Sequence, residues 1–239
     1  MRVDVLGVGF DSLTINQAVD RALEEIEKRQ DAYLVTPNPE IVWLCQKDGN
    51  LAHIIEKAAL VLADGVGITL GAKLLKRPLA ARLPGIDFIA SLFSQLAARG
   101  GTVFLYGAKP GVAERAGETL TARYPGLQII GTADGYTDDA PVTAAIQKAA
   151  PDLLLVCLGA PKQEKWMAAH QGKLHVGLMA GLGGALDVFS GDVNRAPETW
   201  RKLGLEWFYR LLQNPRRLGR MLKLPLFLLA VLGQKWRGK

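Results

Sequence analysis

A chain of 239 residues, 49% hydrophobic and 22% charged, can bury the core of one large domain or two small ones without a metal or disulfide staple. Cys45 and Cys157 both sit in apolar surroundings, and no C-x-x-C or H-E-x-x-H occurs, which argues for buried reduced thiols in a cytosolic setting over a disulfide or metal pair. The formal charge of +6 is unevenly placed: Arg195 to Lys239 holds 11 Lys/Arg against 2 Asp/Glu, a net of +9, leaving residues 1–194 with 18 against 21, a net of −3. A tail of that sign suits nucleic acid, an anionic membrane surface or an acidic ligand, and composition does not choose among them.

In chain order, Val3 to Val8 reads as a first strand; Asp4 and the lack of a long apolar run argue against a signal peptide. Ser12 or Thr14 can cap a helix to about Arg29, with Ala18, Ala22, Leu23 and Ile26 as its apolar stripe. Tyr33 to Thr36 is a short β-rich run broken by Pro37 and Pro39. The resulting T-P-N-P-E turn leaves Thr36, Asn38 and Glu40 as hydrogen-bonding groups; it serves equally as a helix entrance, because proline is normal in a first turn. Helices follow over Glu40 to about Asp48 and around Leu51 to Ala58. Leu60 to Ala63 is a further strand, ending in Asp64-Gly65-Val66-Gly67. A carboxylate at a strand's carboxyl end can take a proton from a hydroxyl held within hydrogen-bond distance, although an Asx turn or helix cap is the commoner use of Asp-Gly. Arg77, Arg82 and a Leu83 to Asp87 turn precede a helix over about Phe88 to Ala98.

A second unit starts at Gly100-Gly101. The strand Thr102 to Tyr106 runs into Gly107-Ala108-Lys109-Pro110-Gly111 and a helix to about Tyr124, an arrangement whose free N–H groups favour an anion, but which lacks both G-x-G-x-x-G and the Walker lysine. Leu127 to Thr132 and a helix over about Pro141 to Ala149 lead to Asp152-to-Glu164, D-L-L-L-V-C-L-G-A-P-K-Q-E. Leu153 to Leu158 has no alternation, as expected of a strand covered on both faces, and Lys162, Gln163 and Glu164 emerge at its end, where open parallel sheets bind ligands; a plain strand-to-helix loop fits as well. A helix with Trp166 and Met167, a strand at Val176 to Ala180 and the Gly181 to Gly191 loop complete the unit; Asp187 reads first as structural. Glycine-containing loops at Gly107, Gly159 and Gly181 after consecutive strands indicate an α/β, Rossmann-like, mostly parallel sheet with flanking helices.

The tail differs in kind. Trp200 to Gln213 carries Leu203, Trp207 and Leu211 on one face; Asn214-Pro215 breaks it; Arg216, Arg217, Arg220 and Lys223 precede an apolar Leu224 to Leu232. That segment is far short of the about 20 apolar residues that span a bilayer, and suits an amphipathic element on a membrane surface or one docked on a partner subunit. The chain thus divides into an N-terminal α/β region (1–100), a Rossmann-like nucleotide-binding region (101–193) and a basic helical C-terminal appendage (194–239).

Seven stretches in order, Thr36-Pro-Asn-Pro-Glu40, Ala63-Asp-Gly-Val-Gly67, Tyr106-Gly-Ala108, Gly159-Ala-Pro-Lys-Gln-Glu164, Gly183 to Gly191, Arg195-Ala-Pro197, and Glu206 to Arg210 with Pro215 to Arg217, resemble the WecG/TagA/CpsF glycosyltransferases, glycosyltransferase family 26. The resemblance covers nearly the whole chain. It implies inverting transfer of N-acetylmannosamine, its uronic acid or glucose from a UDP-sugar to a polyprenyl-diphosphate-linked saccharide, on the cytoplasmic membrane face, without metal or other cofactor. By motif position it implies that Asp64 is the general base, that Thr36 and Asn38 line the sugar pocket, and that Gln163, with Lys162 and Glu164, contacts the nucleotide beside the Gly107 and Gly159 loops. It makes Arg82 a further polar contact and Arg210, Arg217 and Arg220 candidate diphosphate contacts, in an appendage that completes the site and attaches to an anionic membrane.

The residues agree with that chemistry. An inverting displacement needs one base opposite a leaving diphosphate, and the chain has no D-x-D, so arginines and loop amides are the expected electrophiles. Two other classes remain: a non-catalytic nucleotide-sugar-binding module brought to membranes by the tail, and an NAD-dependent oxidoreductase, against which the incomplete fingerprint counts. No nucleic acid partner is indicated. An apolar-faced surface tail also invites homo-oligomerisation.

Overall fold

The computed structural model describes residues 2–213 and 223–237. The first expected strand is a hairpin, β1 (Arg2–Val5) with β2 (Val8–Asp11), because Leu6 and Gly7 turn the chain at φ 54° and 76°. Positive φ at both central residues is what a two-residue hairpin turn requires, and the V-L-G-V spelling hid it inside an apolar run. Thr14, not Ser12, caps α1 (Ile15–Lys28): its hydroxyl accepts from the Gln17 N–H while the Gln17 side chain accepts from the Thr14 N–H at 2.9 Å.

There follow β3 (Ala32–Val35), α2 (Pro39–Cys45), α3 (Gly49–Lys57), β4 (Leu60–Val61), α4 (Val66–Leu74), α5 (Gly85–Ala97), β5 (Thr102–Gly107) and α6 (Val112–Arg123). Next come β6 (Gln128–Ala133), α7 (Asp139–Ala149), β7 (Leu153–Cys157), α8 (Lys162–His170), β8 (Leu178–Gly181) and α9 (Ala185–Phe189). The tail supplies α10 (Glu198–Lys202), α11 (Glu206–Gln213) and α12 (Lys223–Arg237).

Strands β3 to β8 form one parallel sheet in the order β4-β3-β8-β7-β5-β6, so the expected Rossmann-like α/β class is what the chain adopts. The sheet runs through the first two sequence regions, which meet where β3 pairs with β8. All of β7 is buried, and its side chains alternate: Leu153, Leu155 and Cys157 enter the core under α1, α5, α6 and α9, whereas Leu154 and Val156 enter the core shared with the hairpin, α2, α3, α4, α7, α8 and α12. Two covered faces explain why this strand reads as a continuous apolar run. Each such Leu or Val contributes about 1.5–3 kcal/mol of burial free energy. Cys45 and Cys157 are buried and free, as expected, and burial pushes both thiols up to about 12.

The fold opens a crevice at one place that matters. After β3 the chain passes to α2 on one face of the sheet; after the neighbouring β8 it passes to α9 on the other. Loops leaving adjacent parallel strands in opposite directions leave a gap at the strands' carboxyl ends.

Candidate active site

A cavity of about 330 Å³ occupies that gap. Its walls come from the ends of β3 (Thr36, Asn38, Glu40), β4 (Asp64, Gly65, Gly67), β7 (Gly159, Ala160, Gln163) and β8 (Leu182, Gly183, Gly184), together with Arg82. The tail closes it with Gly204, Glu206, Trp207 and Leu224. A smaller recess of about 40 Å³ beside it shares Thr36, Asp64 and Glu206 and adds Pro84 and Gly85 at the start of α5.

Thr36 is buried, and its hydroxyl donates to the Gly181 carbonyl at 3.2 Å, tying the end of β3 to that of β8. Asn38 is the N-cap of α2: its Oδ1 accepts from the Ile41 N–H at 3.1 Å, and Pro39 occupies the first turn. Because that bond uses the carbonyl oxygen, the amide N–H pair of Asn38 is what it can offer to a ligand. The T-P-N-P-E turn is therefore a helix entrance and a cavity wall at once.

Asp64 sits after β4, its N–H donating to the Pro37 carbonyl at 3.4 Å, while the preceding Ala63 carbonyl accepts from Leu83 at 3.1 Å. The helix-cap use of this Asp-Gly pair is not realised: Gly65, at φ 89°, is the N-cap of α4, and no side chain caps it. Gly67, the second residue of α4, cannot carry a side chain without displacement, since a Cβ there would lie 2.5 Å from Pro39 Cγ and 2.8 Å from Leu224 Cδ1. The N-terminus of α4, the Thr36–Glu40 turn and α12 thus meet on one glycine.

Gln163 is buried at the first turn of α8, its Oε1 accepting from the Gly183 N–H at 3.0 Å and its Nε2 donating to Glu164 Oε1 at 2.9 Å. Glu164 is only 1% exposed and does not line the cavity. Burial raises its carboxyl above the ordinary range, the Gln163 hydrogen bond opposing that only in part, and Oε2 has no hydrogen-bond partner among the described residues.

The structure brings together Asp64, Thr36, Asn38, Arg82, Gly159 and Gln163 and leaves other sequence candidates off the cavity wall. Lys162 donates to the Gly135 carbonyl at 3.2 Å, and neither residue lines the cavity. Gly107 is explained by packing, because a Cβ there would run into the Cys157 carbonyl of β7. Arg217 and Arg220, and the side chain of Arg210, lie outside the described residues.

Glu206 is the residue that sequence reasoning passed over. It lines both recesses and pairs with Arg82, Oε2 to Nη2 at 3.8 Å, with both side chains largely shielded. A signal existed, since Glu206 is one of only 2 acids in the basic tail. Arg195, in one of the matching stretches of the tail, holds Asp87 in the first turn of α5 at 2.7 Å, where Arg201 also approaches.

The chain matches known proteins over nearly its full length. The family model described as the glycosyl transferase WecG/TagA/CpsF family matches residues 3–239. Proteins of Staphylococcus aureus strains MW2, MRSA252 and NCTC 8325, each named N-acetylglucosaminyldiphosphoundecaprenol N-acetyl-beta-D-mannosaminyltransferase, are 36% identical over 231 residues, covering 95% of this chain and 91% of each relative.

Proposed function

The chain belongs to the WecG/TagA/CpsF glycosyltransferase family, and from that premise we propose that it moves N-acetylmannosamine, or a closely related hexose, from a UDP-sugar to a polyprenyl-diphosphate-linked saccharide with inversion at the anomeric carbon. The observation that carries this reading is the convergence on one cavity of Thr36, Asn38, Asp64 and Gln163, delivered by three different strand ends beside Arg82. The relatives' name gives a β-D-mannosaminyl group, which is what a single displacement yields from a donor with an α-linked diphosphate.

In this reading Asp64 accepts the proton of the acceptor hydroxyl as that oxygen bonds to the anomeric carbon and the bond to the UDP oxygen breaks. The departing diphosphate gains negative charge. The uncapped N-termini of α4 and α8 offer backbone N–H groups to it, and Arg82 with the tail arginines Arg210, Arg217 and Arg220 supplies the cations. Thr36 and Asn38 hold the sugar, Gln163 meets the diphosphate, and the nucleoside end runs along Gly159 toward Lys162 and the Gly107 loop. No metal enters the scheme.

The acceptor's lipid places the reaction at a membrane. No helix among the described residues is long and apolar enough to cross one. Instead α12 turns Phe227 and Val231 into the core and leaves Leu226, Leu229 and Trp236 exposed, on a tail whose net charge is +9. That supports a peripheral enzyme resting on the anionic inner face of the cell membrane.

The test is Asp64→Asn, assayed with UDP-N-acetylmannosamine and a lipid-diphosphate N-acetylglucosamine acceptor. Turnover should fall by about 10²–10⁴, the range for loss of a general base, while UDP-sugar affinity stays within about threefold. A variant that keeps most of its turnover removes Asp64 from the role.

A further inference from the structure

Glu164, the one acid of the K-Q-E run, is buried and in contact with Gln163, a residue on the cavity wall. We propose that Glu164 is a positioning residue: it fixes the side-chain amide of Gln163 in the one orientation that presents an N–H to the donor diphosphate, and it touches no part of the nucleotide. The inference rests on the functional reading above only for the identity of the ligand.

The geometry leaves the Gln163 amide no second choice. The Gly183 N–H can only donate, so the atom 3.0 Å from it must be the amide oxygen. The nitrogen then faces Glu164 Oε1 at 2.9 Å, where it needs an acceptor. With its oxygen and one N–H hydrogen so engaged, Gln163 keeps its second N–H hydrogen, and the residue lines the cavity next to Gly159 and Gly183. A donor aimed at a phosphate oxygen is useful; the same amide turned over would aim its carbonyl at an anion and repel it.

Glu164 is suited to this task and unsuited to the alternative. At 1% exposure it has no surface from which to reach a ribose or phosphate. Burial raises its carboxyl above the ordinary glutamate value, the direction that disfavours its charged form. Its Oε2 makes no hydrogen bond among the described residues, and apart from its own backbone N–H the polar group its carboxyl meets is the Gln163 amide.

The experiment compares wild type, Glu164→Gln, Glu164→Leu, Gln163→Ala and the Gln163→Ala/Glu164→Leu double variant. UDP affinity is read by calorimetry, and the side-chain ¹⁵N–¹H pair of Gln163 by NMR without ligand. Glu164→Gln keeps an acceptor at the same place, so the resonance pair and a UDP affinity within about threefold of wild type should survive. Glu164→Leu stays folded, having lost a poorly satisfied polar group, but should release the Gln163 pair and weaken UDP about tenfold. The double variant should bind no worse than Gln163→Ala alone, because both changes remove one interaction. A tenfold loss in folded Glu164→Gln, additive losses in the double variant, or a Gln163 pair unmoved in Glu164→Leu would each overturn the proposal. Wild type that fails to bind UDP refutes the donor assignment instead, and the NMR comparison still decides the positioning role.

Discussion

Phe227→Ala tests whether the tail is part of the site or an ornament on it. Phe227 is fully buried on the face of α12 that meets α4; a Cβ on Gly71 would lie 3.3 and 3.4 Å from its ring atoms and 3.4 Å from Val231 Cγ2. Gly71 is what lets the ring lie against the α4 backbone. Truncating a buried Phe costs about 3–5 kcal/mol, and here the deleted ring is the largest fully buried side chain among the described residues of the appendage. A loss of that size shifts the docking equilibrium of α12 by about 10²–10⁴-fold. Undocking withdraws Leu224 from the cavity wall and loosens Glu206 and Trp207 beside it. Hydrogen exchange should therefore speed up across residues 223–237 and in α4 while β5, β7 and β8 stay protected, and transfer to the lipid acceptor should drop at least tenfold. If α12 stays protected, or exchange rises there without loss of transfer, the tail is not a working wall of the site.

Two further outcomes follow from the same geometry. Gly67→Ala adds about 1 kcal/mol of helix propensity to α4 but places a methyl 2.5 Å from the Pro39 ring, which the backbone holds in place; at about 1–3 kcal/mol for overpacking the net is loss. Thermal melting should fall and the KM for UDP-sugar rise, because the displaced proline lies between Asn38 and Glu40; a more stable variant with native KM contradicts the packing. Glu164 has a carboxyl raised above its ordinary 4.5, so the folded chain keeps a proton that the unfolded chain gives up. Stability relative to Glu164→Gln should then decline as pH rises from about 4.5 through the raised value, by at most about 1.4 kcal/mol per pH unit, and level off above it; urea melts across that range showing a constant difference would exclude this.

What could be read from the sequence was what depends on local spelling. β7 announced itself because a strand covered on both faces is apolar at every position, and the loops after β3, β4 and β7 announced themselves because proline and glycine there have few other uses. Leu6-Gly7 escaped because one of its positive-φ residues is a leucine, with no spelling to mark a turn. Glu164 was expected at a ligand because a charged residue in a polar run suggests exposure, and only the packing of α8 against the sheet reveals it as buried. Gly107 drew attention as part of a phosphate-loop pattern, yet what it satisfies is close approach to the Cys157 carbonyl. The Arg82–Glu206 pair could not be found by spacing at all, since it joins residues that only the docking of the tail makes neighbours.

Charge explains why such a site recruits a tail. Among the described residues, the charged groups on the larger cavity are Glu40, Asp64, Glu206 and Arg82, so acids outnumber cations around a ligand that the proposed function makes an anion. Each carboxylate about 5 Å from a phosphate costs about 3 kcal/mol at an effective dielectric of 20. The acids suit a base and sugar hydroxyls; the diphosphate needs compensation from elsewhere. Residues 1–194 carry a net −3 and cannot supply it in bulk, whereas the segment from Arg195 onward carries +9. That segment is held by Phe227 and Val231 against Gly71 of α4, the helix whose uncapped N-terminus already opens onto the cavity. Docking α12 therefore sets the cavity wall and anchors the described end of that segment in one step. An undocked tail would leave a pocket with the wrong sign for the proposed diphosphate substrate.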